Sequence, residues 1–261
     1  MSKTAVITGA TSGIGAAYAR RLAKDGYDLV ITGRRKEIIQ KLADELTKQY
    51  SIKVEVIIAE LSNDNDFQKL VDVVKTKEDI EILINNAGYS GGLKHSVDID
   101  NSEHEKMIKV HEIIPIRLIS VIVPEMIKRG RGNIINVSSM GAFLPLPSGG
   151  VYGATKAFLY NYSQSLYMEL KDKGIKVQVL CPGVTQTDFG KNYYSKEFLD
   201  QVLKMMKMMP PEKVVDYSLK CLKKNKLVCI QKTSNKVMAK LLPSLPIDTY
   251  YSMVTRMTPF K

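Results

Sequence analysis

The sequence is poor in cysteine. Cys181, Cys221 and Cys229 are the only three in 261 residues, an odd count with no CxxC pair, which argues against a disulfide framework and against a thiolate zinc site. His95 and His104 have no partner at metal-ligand spacing and read as loop and surface residues, so no metal is expected. No apolar run is long enough to span a bilayer. Met1-Ser2-Lys3 leads straight into an apolar stretch, with no signal-peptide core and small-residue cleavage site after it, so a cytoplasmic protein is expected. No linker divides the chain, and no repeat of fixed period occurs. The segment richest in breakers, 141–150 with Pro145, Pro147, Gly149 and Gly150, is too short to separate domains.

Acid is scarce at the end of the chain. The net charge is +11, and residues 201–261 carry twelve Lys/Arg against three Asp/Glu, whereas the first 200 carry 26 against 24. Such a tail suits nucleic acid, anionic lipid or an acidic ligand, or it is a solvated lysine-rich face. The solvated face is the simpler reading, and no nucleic-acid partner is expected. The remaining composition, 44% hydrophobic and 25% charged, is that of an ordinary globular protein. The length suits one α/β domain.

Short β-branched runs alternate with amphipathic stretches. Strands are expected at Lys3–Thr8, Asp28–Thr32, Lys53–Ile58, Ile80–Asn85, Asn133–Ser138, Ile175–Cys181 and, shorter, Leu227–Ile230. Helices fill the intervals, among them Gly13–Lys24, about 36–49, and the long stretches 103–129 and 152–172. Strand, helix, strand in repetition predicts a parallel sheet covered on both faces, joined by right-handed crossovers. The expected fold is therefore α/β: a single Rossmann-type, doubly wound parallel sheet of about seven strands with a short helical C-terminal extension. The domain is assigned to 1–232. The basic amphipathic extension, 233–261, is broken by Pro243 and Pro246.

The first strand ends in Thr8-Gly9-Ala10-Thr11-Ser12-Gly13-Ile14-Gly15. Gly9 permits a tight turn, Gly13 a close approach of backbone to a pyrophosphate, and Gly15 close helix–strand packing. The N–H groups and dipole of the helix start then face the anion. The second strand ends in Gly33-Arg34-Arg35, beside the expected adenosine ribose. An acidic residue there would hold a 2′-hydroxyl, whereas guanidinium suits a 2′-phosphate in charge and geometry. NADP(H) is therefore expected over NAD(H), with Ser12 adding a hydroxyl.

The glycine spacing is TGxxxGxG. Asn85-Asn86-Ala87-Gly88 closes the fourth strand, and Ser139 follows the fifth. Tyr152-Gly153-Ala154-Thr155-Lys156 reads YxxxK, thirteen positions after Ser139, and Pro182-Gly183-Val184-Thr185-Gln186-Thr187 reads PGxxxT. In these motifs and their order the chain, from residue 4 to about 187, resembles the short-chain dehydrogenase/reductases. The resemblance implies cofactor contacts from Gly9, Thr11, Ser12, Gly13, Ile14, Gly15, Arg34, Arg35, Asn86, Ala87, Gly88, Tyr152, Lys156, Val184 and Thr187. Glu60-Leu61 stands near the adenine, where the family has Asp and an apolar residue. It also implies catalysis by Ser139, Tyr152 and Lys156. Tyrosine ordinarily has a pKa of about 10, and an ammonium one helical turn away favours phenolate. Lys156 would also hold the nicotinamide ribose, Ser139 would bond the substrate oxygen, and Tyr152 would exchange a proton with it.

One position departs from the family. His111 occupies the place of an asparagine that helps hold a proton-relaying water. The imidazole is read as a proton shuttle near neutral pH, as a tolerated replacement, or as the mark of a non-catalytic NADP(H)-binding sensor. The segment that covers substrate in the family, 187–210, holds Phe189, Tyr193, Tyr194, Phe198, Met205, Met206, Met208 and Met209. These fit an apolar or bulky ketone such as a hydroxysteroid or an acyl chain, or they pack a lid onto the core. The resemblance further implies a homodimer or homotetramer paired through the two long helices. A reductase resting on a membrane through its basic tail is the remaining alternative.

Overall fold

In the computed structural model, residues 3–91, 95–145, 149–189 and 208–257 are described. Strands β1 (Thr4–Thr8), β2 (Asp28–Gly33), β3 (Val54–Ile58), β4 (Ile80–Asn85), β5 (Gly132–Val137), β6 (Ile175–Leu180) and β7 (Val228–Cys229) form one sheet in the order β3-β2-β1-β4-β5-β6-β7. Every pairing is parallel. β1 is buried along its whole length, as a strand covered on both faces must be.

Helices α1 (Gly13–Lys24), α2 (Lys36–Tyr50) and α7 (Pro211–Lys223) cover one face, where Tyr18, Leu22, Ile39, Leu46 and Val215 pack on Ile7 and Ile31. On the other face, α3 (Asp64–Lys75), α5 (Ile114–Lys128) and α6 (Gly150–Leu170) bring Phe67, Leu70, Leu118, Ile122 and Leu166 onto Val6, Leu83 and Ile134. Burying each such side chain contributes about 1.5–3 kcal/mol. The phenol of Tyr18 is fully buried and donates to Ser218 Oγ at 2.5 Å, which donates to Gln178 Oε1. A satisfied polar chain thus joins α1, α7 and β6.

The long helix expected at 103–129 begins two residues earlier, as α4 (Asn101–Ile108), because the Asp100 carboxylate caps it at Ser102 N. It then passes through a π-helical segment, Lys109–Ile113, before α5. The periodicity did not predict that interruption. The last strand is shorter than expected, two residues rather than four. The extension folds into α8 (Thr233–Leu241) and α9 (Ile247–Met257). It leans on the rest of the chain: Ala239 packs against the cluster of Met140, Val179, Cys181 and Ile230, and Tyr250 Oη donates to Pro145 O at 2.6 Å. All three cysteines are buried and unbridged. Among the described residues no helix is long and apolar enough to cross a membrane.

Strand order reverses direction between β1 and β4. In open α/β sheets ligands bind in the crevice beyond the strand ends at such a switch point.

Candidate active site

Beyond β1 the chain turns through Gly9 (φ +70°) and Gly13 (φ +57°), a region that side-chain-bearing residues rarely adopt. A Cβ on Gly15 would lie 2.3 Å from Gly9 O, so helix and loop pack at a distance only glycine allows. Thr8 Oγ1 accepts from the N–H groups of Asn86 and Ala87, and Asn86 Nδ2 donates to Thr8 O and Gly9 O. The Asn86 amide therefore braces the end of β4 against the glycine turn. Asn85 donates to Asn136 Oδ1, and Asn136 to Ser163 Oγ, inside the core.

No side chain caps α1, and its first turn has no acidic residue. The N–H groups of Gly13, Ile14 and Gly15 open the helix, which is the arrangement an anion takes. Ser12 sits at the cap position, but its hydroxyl accepts from Arg35 Nη2 at 2.7 Å, and Thr11 Oγ1 accepts from the same nitrogen at 3.0 Å. Asp188 lies 3.9 Å from the other terminal nitrogen of Arg35. Arg34 pairs instead with Glu60 at 3.0 Å. Burial opposes ionisation of Glu60, but Arg34 and two bonds from Ser62 outweigh it and hold the carboxyl below its usual range. The two arginines thus have different partners. The Leu61 side chain is buried in the core with Phe67, which leaves only its backbone for a ligand.

Ser139 follows β5 in extended conformation, and its Oγ accepts from Gly141 N at 3.0 Å. Tyr152 lies in the first turn of α6 and Lys156 one turn further on. Lys156 is buried and donates to Val137 O at 3.1 Å, with its nitrogen 5.7 Å from the centre of the Tyr152 ring. Burial pushes its pKa down to about 8, against a smaller upward pull from the Cys181 thiol. A Cβ on Gly141 would stand 3.4 Å from both Ser139 Oγ and Tyr152 Cε1, so serine and phenol ring flank the same point. A Cβ on Gly88 would stand 2.8 Å from His111 Nε2 and 3.4 Å from Lys156 Nζ. Gly88, His111, Tyr152, Lys156 and Ser139 therefore converge.

The turn after β6 closes the crevice. A Cβ on Gly13 would meet Thr187 Cγ2 at 2.8 Å, and the Phe189 ring lies 5.9 Å from that of Tyr152. Val184 O accepts from Met209 N, and Met209 packs on the core. Met208 is half-buried. Tyr193, Tyr194, Phe198, Met205, Met206 and Pro147 lie outside the described residues. Two contacts at the centre were missed in the sequence: Thr155, which looked like a spacer within YxxxK, and the Tyr89 N–H, one residue past Gly88. Both touch His111.

The family model for short chain dehydrogenases matches residues 3–197. The very-long-chain 3-oxoacyl-CoA reductase of Anas platyrhynchos is 34% identical over 190 residues, which span 72% of this chain and 61% of that reductase. A short-chain dehydrogenase from Sphingobium yanoikuyae, solved in complex with NADPH, superposes with a TM-score of 0.83 at 30% identity, covering 99% of this chain and 96% of that one. A bulky-bulky ketone specific alcohol dehydrogenase from Comamonas testosteroni does so at 0.78 and 29%, covering 99% and 95%.

Proposed function

The chain belongs to the short-chain dehydrogenase family, and from that membership we propose an NADP(H)-dependent oxidoreductase that interconverts a carbonyl and a secondary alcohol on an apolar substrate. The observation that carries the proposal is the convergence of Ser139, Tyr152 and Lys156 beside an uncapped, glycine-rich helix start. The residues present fit the cofactor. The first turn of α1 would take the pyrophosphate, Arg35 with Ser12 and Thr11 the 2′-phosphate, and Lys156 the nicotinamide ribose. Bound NADP(H) supplies or accepts the hydride. Ser139 orients the substrate oxygen and steadies its developing charge. Tyr152 moves a proton between its phenol oxygen and that oxygen, and the Lys156 ammonium favours the phenolate.

Phe189 beside Tyr152 supports a hydroxysteroid or an acyl-chain ketone, in keeping with the relatives named for long-chain acyl and bulky ketone substrates. The test is NADPH consumption on a panel of such ketones, with Tyr152→Phe beside the wild type. The variant should lose about 10²–10⁴-fold in turnover and still titrate with NADPH. Near-normal turnover in it sinks the assignment. NADPH binding with no turnover of any ketone by the wild type favours the sensor instead.

The protein is proposed to act in the cytoplasm as a homodimer or homotetramer, paired through α5 and α6. Exposed Ile113, immediately before α5, and exposed Met168 on α6 support that pairing. A second reading, a reductase resting on an anionic membrane, is favoured by α8. There Val237, Met238 and Leu241 are exposed beside Lys236 and Lys240, as on helices that lie in a lipid interface. Sedimentation with anionic but not neutral vesicles would establish it.

A further inference from the structure

We infer that His111 is a positioning residue: a neutral imidazole, locked in one tautomer, that ties the helix turn bearing Tyr152 to the loop after β4 and carries no proton in the reaction. The inference rests on the reading of Tyr152 as the group that exchanges a proton with substrate.

The tautomer follows from the partners. The Tyr89 N–H donates to His111 Nε2 at 3.1 Å. An amide N–H can only donate, so Nε2 presents a lone pair and the ring proton sits on Nδ1. Nδ1 lies 2.8 Å from Thr155 Oγ1, and the Thr155 hydroxyl gives its own proton to Tyr152 O at 2.8 Å. Thr155 Oγ1 is therefore free to accept from Nδ1–H. One assignment of protons satisfies the whole chain, from Tyr89 N–H through His111 and Thr155 to the Tyr152 carbonyl. An imidazolium would turn N–H against N–H at Tyr89, inside the protein and beside Lys156. Burial and the Lys156 charge accordingly push the His111 pKa well below its usual 6.5.

The same contacts disqualify His111 as a relay, because both ring nitrogens are already committed. They suit a strut instead. α6 starts at Gly150 with no side-chain cap, and uncapped first turns fray. Tyr152 lies in that first turn, and the strut holds its carbonyl from the side. The ring also meets the rings of Tyr152 (5.9 Å, 79°) and Tyr89 (5.7 Å, 67°) edge-on, a favoured aromatic geometry. Two local features allow the ring to reach this place. The π-helical turn Lys109–Ile113 is centred on His111, and such turns re-aim one side chain within a helix. Gly88 leaves the space beside Nε2 that a Cβ would fill.

The tautomer is read directly by ¹⁵N NMR of histidine-labelled wild-type protein, which has only His95, His104 and His111 to assign. At neutral pH His111 should show a neutral ring protonated at Nδ1. An imidazolium, or a ring protonated at Nε2, overturns the inference. This measurement stands even if the Tyr152 assignment fails, so the two failures are distinguishable. Kinetics supply the second arm. Thr155→Val and His111→Phe should each lower kcat about 10- to 100-fold, the scale of a small misplacement of a reacting group, with NADPH affinity unchanged. Because both break one chain, the double variant should be no worse than the poorer single one. His111→Asn keeps a donor near the Nδ1 position and should recover part of the loss. Additive losses, or the disappearance of a limb of the pH–rate profile on removing His111, would show a separate proton-carrying role and overturn the inference.

Discussion

Replacing Arg35 with alanine should cost NADPH binding and spare NADH. The 2′-phosphate carries about −1.5 to −2 charge near neutral pH, and NADH has a hydroxyl in its place. Arg35 is held over the glycine loop by Ser12 at 2.7 Å and Thr11 at 3.0 Å, so little side-chain freedom remains to be lost when a phosphate arrives. A charge-assisted hydrogen bond contributes about 1.5–3 kcal/mol. The Arg35 side chain is 45% exposed and shares its charge with Asp188, so solvent screening places the contribution at the lower end. About 1.4 kcal/mol is a tenfold change in affinity, and a loss of about tenfold for NADPH is expected. Arg34 should behave differently. It is 64% exposed and paired to Glu60, and exposed pairs contribute about 0–1 kcal/mol. Arg34→Ala should cost a few-fold at most, mainly by leaving the Glu60 carboxylate uncompensated. Both reduced cofactors are titrated by fluorescence into wild type and each variant, at low and high salt. The wild-type preference should shrink as salt rises, because the Debye length falls from about 10 Å at 0.1 M to about 3 Å at 1 M. A larger loss from Arg34→Ala than from Arg35→Ala, or equal losses for NADH and NADPH, would refute the division of labour.

The buried Lys156 gives a pH dependence with a definite sign. Burial lowers its pKa from 10.5 to about 8, so the ammonium is complete below that value and lost above it; kcat/KM for ketone reduction should fall as pH rises through about 8, and a flat profile there would contradict a role for the charge. Light scattering at micromolar concentration should return the mass of a dimer or tetramer, and a monomer mass would remove the proposed pairing of α5 and α6.

Most of the sheet was legible because parallel strands buried on both faces are written as unbroken apolar runs, such as Ala5-Val6-Ile7 and Ile82-Leu83-Ile84. Glycine positions were legible for a related reason: at Gly9 and Gly15 no other residue fits, so composition reports geometry. Partner choice was not. Arg34 and Arg35 are chemically identical neighbours, and only the fold sends one to Glu60 and the other to Ser12. The π turn was invisible because one extra residue in a long apolar periodicity shifts the pattern less than its normal scatter. Thr155 gives no signal in the sequence because a hydroxyl inside a helix ordinarily serves its own backbone. Here it does so and still has a lone pair for His111.

The cap position of α1 offers a test of how far the loop favours ligand over stability. α3 and α4 are capped by Asn63 and Asp100, whereas Ser12 has the extended backbone of a cap residue (φ −163°, ψ 176°) but caps nothing. Its hydroxyl faces Arg35, and the helix N–H groups are left for an anion. Aspartate is among the best cap residues, and caps contribute about 1 kcal/mol; a carboxylate at a helix start adds about 0.3–1 kcal/mol through the dipole. Ser12→Asp should therefore raise the melting temperature of the cofactor-free protein. The same carboxylate would occupy the N–H groups meant for the pyrophosphate, draw Arg35 into an ion pair and repel both phosphate sites. Affinity should fall for NADH and further for NADPH, and the melting-temperature gain should vanish or reverse at millimolar NADPH, because ligand stabilises by RT ln(1 + [L]/Kd) and the variant's Kd is larger. Thermal melts with and without each cofactor read both effects. A variant that is more stable and binds NADPH as tightly as wild type would show that the anion does not sit at the first turn of α1.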